Sequence, residues 1–234
     1  ELADWSAKYQ IKSECNRWLV QIPRLFNTFK QQGVVKNFKQ MLDNIFVPIL
    51  EVSQNPSSHH SLELFLQDVS GFDCVDDESR VDIRIEAIFP APESWTSDAN
   101  PPYQYYLYHL YSRICQVNAL RKSKGLPIFT FRPHAGESGS EKHLMAAYLT
   151  SDAINHGINL EKVPVLQYLY YLSKIGICVS PSTHSLISSK EDLLSHSAPM
   201  IHFNSISLNH RSRRNMQLHL VFGSCQRWIS LRSQ

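Results

Sequence analysis

Two short motifs, each at the end of an apolar segment, constrain the fold of this chain more than any other feature. The first, at residues 131–139, reads Phe-Arg-Pro-His-Ala-Gly-Glu-Ser-Gly, and the second, at residues 155–157, reads Asn-His-Gly. They lie at the ends of two segments that predict buried strands, residues 128–132 and 153–158. Polar residues at the ends of consecutive strands indicate a parallel sheet or barrel, because the carboxyl ends of such strands share one edge.

The other segments support this α/β interpretation, since predicted strands and helices alternate along the chain. Further strands are predicted at residues 17–22, 62–69 and 175–179, and helices at residues 38–50, 103–120, 141–150 and 163–174. Residues 78–100 contain prolines and show little periodicity, so we predict a long loop there.

Composition is that of an ordinary globular protein of 234 residues, 43% hydrophobic and 19% charged. A net charge of +2 gives no reason to expect a nucleic-acid or membrane partner. The five cysteines have no disulfide-framework spacing, which favours free thiols in a reducing compartment. No apolar run reaches transmembrane length and residues 1–5 do not resemble a signal peptide, so we expect a cytosolic protein. Since the chain begins with Glu1 rather than Met, we expect further residues upstream.

The residue types in the two motifs suit metal-assisted hydrolysis. Zinc can lower the pKa of a bound water to about 7, and its ligands are usually imidazoles and carboxylates. His134, at a strand end, is the candidate metal ligand, and Glu137 could give a proton to the ring nitrogen of a purine. His156 could act as general base or orient the water. Gly136 and Gly139 would let the backbone come close to a flat base.

Each feature taken alone also has a plain structural explanation. A His-x-x-Glu pair is common by chance, and His156 before a glycine could belong to a simple turn. Four carboxylates follow the predicted strand at residues 62–69 and are candidate substrate contacts, although such residues can instead cap the next helix: Asp73, Asp76, Asp77 and Glu78. The other histidines considered are interpreted as surface or packing residues: His59, His60, His109 and His143. The combination at consecutive strand ends is what favours a site.

At these residues the chain resembles the adenosine/AMP deaminase superfamily, and within it the AMP deaminase family. The similarity extends from Glu1 to about Pro181. Segments typical of AMP deaminases are residues 17–25 (Arg-Trp-Leu-Val-Gln-Ile-Pro-Arg-Leu), 71–73 (Gly-Phe-Asp), 78–79 (Glu-Ser), 100–108 (Asn-Pro-Pro-Tyr-Gln-Tyr-Tyr-Leu-Tyr) and 164–169 (Pro-Val-Leu-Gln-Tyr-Leu).

This resemblance implies a (β/α)8 TIM barrel of the zinc deaminase type, of which this chain would hold about strands three to seven. It implies a Zn²⁺ cofactor with His134 as ligand, Glu137 as the acid at the purine ring and His156 as general base. The implied reaction is hydrolytic deamination of AMP to IMP and ammonia, a step of purine nucleotide metabolism, by a cytosolic homotetramer. Ala135 stands where AMP deaminases more often have Cys and adenosine deaminases have Ala.

The family pattern is incomplete at both ends of the chain. A His-x-His zinc pair and a basic phosphate-binding segment would lie upstream of Glu1, and the Ser-Thr-Asp-Asp-Pro motif of the last strand is absent. With one expected zinc ligand and an incomplete barrel, the chain as written is expected to be inactive. It is also expected to be poorly soluble alone, because open sheet edges and apolar surface would be exposed.

Residues 182–234 differ in character from the rest. Beyond Asp192 they contain arginines and serines but no acidic residue, which taken alone favours a non-native or disordered end over a site for an anionic partner. Back-translating residues 183–210 and reading two nucleotides later permits Val-Ser-Leu-Ser-Thr-Asp-Asp-Pro, the missing motif. We therefore predict a partial catalytic barrel in residues 1–181 and a frame-shifted tail in residues 182–234.

Two other functions stay open at this point. An adenosine deaminase-like enzyme would share the zinc chemistry and lack the phosphate-binding segment. A barrel paralogue without catalysis would instead be a binding or scaffold protein.

Overall fold

The computed structural model describes residues 1–82 and 89–179. In this part of the chain helices alternate with short parallel strands, which confirms the predicted α/β class. The frame-shift prediction for residues 182–234 lies outside the described residues.

Seven α-helices and six strands are assigned within the described residues. The helices are α1 Leu2–Lys8, α2 Phe26–Gln31, α3 Phe38–Gln54, α4 His60–Asp68, α5 Tyr103–Ser123, α6 Lys142–Thr150 and α7 Pro164–Ser173. The strands are β1 Trp18–Pro23, β2 Val69–Val75, β3 Thr130–Phe131, β4 His134–Ala135, β5 Ala153–His156 and β6 Gly176–Cys178. Short 3₁₀ helices cover Pro56–Ser58 and Ile158–Lys162.

The strands form two three-stranded parallel sheets, in the orders β1-β2-β3 and β4-β5-β6. The sheets adjoin because the chain runs from β3 into β4 through Arg132 and Pro133. The Arg132 N–H donates to the Phe72 carbonyl in β2 (2.8 Å), and the Pro133 carbonyl accepts from the Asn155 N–H in β5 (2.9 Å). Residues 130–135 therefore lie between β2 and β5, and the carboxyl ends of β2, β4 and β5 lie close together.

The strand predicted at residues 62–69 is wrong, because residues 60–68 form helix α4. Leu62, Phe65, Leu66 and Val69 recur at intervals of three and four, which is helical spacing. The His59 imidazole also caps this helix, since its Nδ1 accepts the Leu62 N–H (3.2 Å). The strand expected in this region is β2, which begins where the prediction ended.

Aromatic side chains join helices α3 and α5 to the sheet. The Phe46 ring of α3 contacts the Phe72 ring of β2 with centroids 5.7 Å apart, and Phe72 contacts Phe129 at 5.3 Å. Phe38 packs edge-on against Tyr106 of α5 at 4.7 Å. The helix predicted at residues 38–50 is thus confirmed as α3, and burial of these rings anchors the helices that flank β2.

Tyr106 tests this packing, because its hydroxyl accepts the backbone N–H of Phe26 (3.0 Å) inside the core. Tyr106→Phe leaves that N–H buried without its acceptor, so we expect the free energy of unfolding to fall by about 1–3 kcal/mol. Denaturant titration measures it. The control is Tyr108→Phe on the exposed side of the same helix, where 61% of Tyr108 is accessible. Equal stabilities of the two variants would contradict the role of this hydrogen bond.

Candidate active site

The structure brings His134, Glu137 and His156 together at the carboxyl ends of β4 and β5, as the motifs predicted. The rings of His134 and His156 have centroids 4.7 Å apart. His156 Nε2 lies 3.7 Å from Glu137 Oε2. All three side chains are largely buried, at 18%, 23% and 10% exposure for His134, Glu137 and His156. They form one polar cluster at the carboxyl ends of these strands.

His134 is held by Asp73, the last buried polar residue of β2. Its ring Nδ1 donates to Asp73 Oδ1 (3.0 Å), and its backbone N–H donates to the same oxygen (3.1 Å). This arrangement leaves Nε2 as the ring nitrogen that can face a metal or substrate. Burial opposes a charged His134, but the hydrogen bond and charge of Asp73 outweigh it, so the pKa of His134 is raised. The Asp73 carboxylate thus fixes the orientation of the ring.

His156 has a strained backbone at the end of β5. Its φ is 74°, a left-handed conformation that is uncommon for residues other than glycine, and non-glycine residues in it cluster at functional sites. The next residue, Gly157, is also left-handed, with a φ of 68°. Its N–H donates to the Ala135 carbonyl (2.9 Å). Burial, helped by the nearby charge of His134, lowers the pKa of His156 to about 4. Its imidazole is therefore neutral at physiological pH and able to accept a proton.

The turn that bears Glu137 is packed tightly at its two glycines. A Cβ on Gly136 would lie 2.7 Å from Leu144 of α6, and one on Gly139 would lie 1.8 Å from the Glu78 carbonyl oxygen. Both glycines have positive φ, at 74° and 66°. They thus allow the turn to lie against α6 and the segment after β2. Contact between Gly136 and a substrate stays a prediction.

A second buried polar network supports this turn, and it was not anticipated from the sequence. The carboxylate of Glu78 accepts the N–H groups of Gly136 (2.7 Å) and Glu137 (3.2 Å) and lies 3.2 Å from Nδ1 of His143. Nε2 of His143 lies 3.5 Å from Asp82. His143, interpreted from sequence as a packing or surface residue, is buried and bonded to two carboxylates. The sequence feature that could have indicated this role is the position of His143, six residues after Glu137.

Arg24 extends the network toward the predicted substrate-contact residues. Its guanidinium pairs with Asp76 (2.5 Å) and Asp82 (2.6 Å). Asp77 is more exposed and accepts hydrogen bonds from Ser79 and Arg80 in its own turn. Asp76 thus has a partner within the protein and Asp77 stabilises a turn, while substrate contact by either stays a prediction.

The family model of AMP deaminase matches residues 1–213. The chain belongs to the AMP deaminase family. It is 47% identical over 187 residues to the AMP deaminase of Saccharomyces cerevisiae, which covers 80% of this chain and 23% of the yeast protein. It is 43% identical over 222 residues to the probable AMP deaminase of Oryza sativa subsp. japonica, which covers 94% of this chain and 27% of the rice protein.

Among solved structures, an adenine deaminase from Arthrobacter aurescens matches 69% of this chain and 38% of its own, with 19% identity and a TM-score of 0.37. By contrast, the matches to the yeast and rice AMP deaminases cover 23% and 27% of those proteins, so the chain spans about a quarter of their length. The family match runs to residue 213, past the boundary at about Pro181 expected from the motifs.

The described part of this AMP deaminase family member does not by itself supply a full metal site. Within residues 1–82 and 89–179, no three His, Cys, Asp or Glu side chains are placed to hold a metal ion together. His134 nevertheless has the arrangement found for zinc-binding imidazoles, in which a carboxylate accepts the hydrogen bond of the other ring nitrogen. The residues present fit one ligand of a zinc site. No helix in the described ranges is long and apolar enough to cross a membrane.

The network around Asp82 predicts a pH dependence of stability. Partial burial alone would raise the pKa of Asp82, but the His143 hydrogen bond and the Arg24 charge lower it from 3.8 to about 2. A carboxyl with a lowered folded-state pKa stabilises the protein above its ordinary pKa and loses that contribution as pH falls. We expect Asp82→Asn to be less stable than wild type near neutrality, and this difference should shrink between about pH 4 and pH 2.

Thermal or denaturant unfolding across that range measures the difference. Asp98→Asn, at an exposed loop position, is the control and should follow wild type throughout. A stability difference for Asp82→Asn that does not change with pH would show that its charge is not the source.

Proposed function

We propose that the full protein to which this chain belongs is a zinc-dependent AMP deaminase that converts AMP and water to IMP and ammonia. The carrying observation is the cluster of His134, Glu137 and His156 at adjoining strand ends, with the His134 ring held by Asp73. Relatives named AMP deaminase support the choice of substrate. Because the chain spans about a quarter of those relatives, the activity is proposed for the whole protein.

In this proposal His134 is one of the protein ligands of Zn²⁺, and the others come from parts of the protein outside the described residues. When bound, the zinc would supply Lewis-acid activation of the attacking water. His134 would bind the metal through Nε2, since Nδ1 is bonded to Asp73. The hydrogen bond from Nδ1 also keeps the ring in the tautomer that a metal needs.

The two remaining side chains can move the protons. Glu137, when protonated, gives its proton to a ring nitrogen of the purine, which makes the carbon that bears the amino group more electrophilic. His156 is neutral, so it can accept a proton from the water as the new C–O bond forms. His156 then passes this proton to the amino group, which leaves as ammonia when the C–N bond breaks. The remaining hydroxyl proton returns to Glu137 as the carbonyl of IMP forms. The 3.7 Å separation of Glu137 and His156 lets both contact one small reacting group.

We also propose that the described strands belong to a (β/α)8 barrel, of which they form about strands three to seven. Three observations support this: the strands are parallel, helices connect all of them except β3 and β4, and the site lies at their carboxyl ends. A partial catalytic barrel at residues 1–181 with a non-family tail at residues 182–234 stays a prediction, as do the homotetramer and the cytosolic location. Sequencing the coding DNA around Pro181 tests the proposed frame change.

Substrate preference is the decisive test of the proposed function. We expect purified full-length protein to release ammonia from AMP with a much higher kcat/KM than from adenosine. A spectrophotometric assay that follows loss of the 6-amino purine measures both. Preference for adenosine would favour the adenosine deaminase alternative, and turnover of neither would favour a binding or scaffold protein.

Substitutions at His134, Glu137 and His156 distinguish metal binding from proton transfer. In the full-length protein Glu137→Gln should keep zinc and lose about 10²–10⁴-fold in kcat, because it removes a general acid. His156→Ala should likewise keep zinc and lose activity, whereas His134→Ala should lose zinc. Metal analysis beside steady-state kinetics measures this, with Glu141→Gln on the exposed side of the same loop as control. Zinc loss in Glu137→Gln would indicate a structural role for Glu137 instead.

A further inference from the structure

Glu78 is a buried carboxylate that the proposed chemistry does not use. Its side chain is 1% exposed, and it lies just after β2, 58 and 59 residues before the groups that it contacts. A carboxylate at this depth is costly unless hydrogen bonds compensate the loss of water. Its partners therefore show what this position stabilises.

Two of those partners are the backbone N–H groups of the turn that bears Glu137. One carboxylate oxygen accepts from Gly136 at 2.7 Å and the other accepts from Glu137 itself at 3.2 Å. The backbone contacts the same turn, since Gly139 lies against the Glu78 carbonyl with no room for a Cβ. Through these contacts Glu78 holds the main chain of the turn directly at Glu137.

The third partner fixes Glu78 itself. His143 of α6 lies 3.2 Å from the oxygen that accepts from Gly136, and it stacks on Tyr103 with ring centroids 4.0 Å apart and planes at 17°. The hydroxyl of Tyr103 donates to the His134 carbonyl (2.6 Å). His143 of α6 therefore holds the Glu78 carboxylate in place. Through Tyr103, the same packing also reaches His134, which lies just before the turn.

We propose that Glu78 is a positioning residue, which holds the Gly136–Glu137 backbone so that the Glu137 carboxyl reaches the reacting purine beside His156. It acts through Glu137 and does not itself contact substrate. This inference rests on the proposed function, in which Glu137 is the proton donor. A displacement of about 1 Å at a catalytic group can cost up to about 10²-fold in rate, so loss of this clamp should be visible in kcat.

Glu78→Gln is the most direct variant, because it keeps the side-chain volume. The Gln amide offers one acceptor oxygen, and its NH₂ group would face a second N–H donor, so one of the two turn contacts is lost. In the full-length protein we expect kcat for AMP to fall by about 10–10²-fold. We expect KM and zinc content to stay near wild type. Glu51→Gln, at an exposed position on α3, is the matched control and should leave kcat unchanged.

A double-mutant cycle separates positioning from a general structural role. If Glu78 acts through Glu137, then adding Glu78→Gln to Glu137→Gln should lower kcat by less than about twofold more, since residues that act as a unit are not additive. Additive losses, or a folded Glu78→Gln enzyme with wild-type kcat, would overturn the proposal. If Glu78→Gln does not fold, Glu78→Asp retains the charge with a shorter reach and is put through the same cycle.

Different results would overturn the proposed function and the role of Glu78. Wild-type protein that deaminates neither AMP nor adenosine overturns the proposed function, and this inference with it. Wild-type protein that deaminates AMP while the Glu78 variants match it in kcat overturns only the role of Glu78.

Discussion

The site depends on two carboxylates buried at the end of β2, Asp73 and Glu78. Each is 1% exposed in its side chain, so neither can be hydrated and each must find donors in the protein. Asp73 finds the ring and backbone N–H of His134, and Glu78 finds the turn at Gly136 and Glu137. The need to satisfy these two charges therefore fixes the loop after β4 in the conformation that brings Glu137 beside His156.

Positive charge from more distant elements balances this acidic edge. His143 has a raised pKa despite its burial, because hydrogen bonds to Asp82 and Glu78 favour its charged form. Arg24, near the end of β1, pairs with Asp76 and Asp82. Breaking one member of such a buried network leaves an uncompensated charge, which is far more costly than the net value of the intact pair. The network thus ties β1, β2 and α6 to one another around the site.

Sequence patterns predicted helices α3, α5, α6 and α7 but missed α1, α2 and α4. Helix α3 was predicted because its apolar residues lie on one helical face. Helix α5 was predicted because its segment is rich in aromatic residues and is followed by Lys124-Gly125, whereas α1 and α2, with seven and six residues, were not predicted. Helix α4 was assigned as a strand because a short apolar run fits both periods. The predicted strand at residues 128–132 contains β3. The next strand, β4, begins only at His134, after Pro133, which has no N–H to donate to the ladder.

The sequence alone determined the parallel α/β class, the family and the cluster of His134, Glu137 and His156. The reason is that the residue types of a motif and its position at a strand end are local properties of the chain. Tertiary structure decided which groups hold them in place. Glu78, Asp73 and Tyr103 lie 31 to 61 residues away from the partners that they bind around His134 and Glu137. No local pattern encodes such a distance, since it follows from the parallel register of β2 with β3 and from the packing of α6 against the sheet.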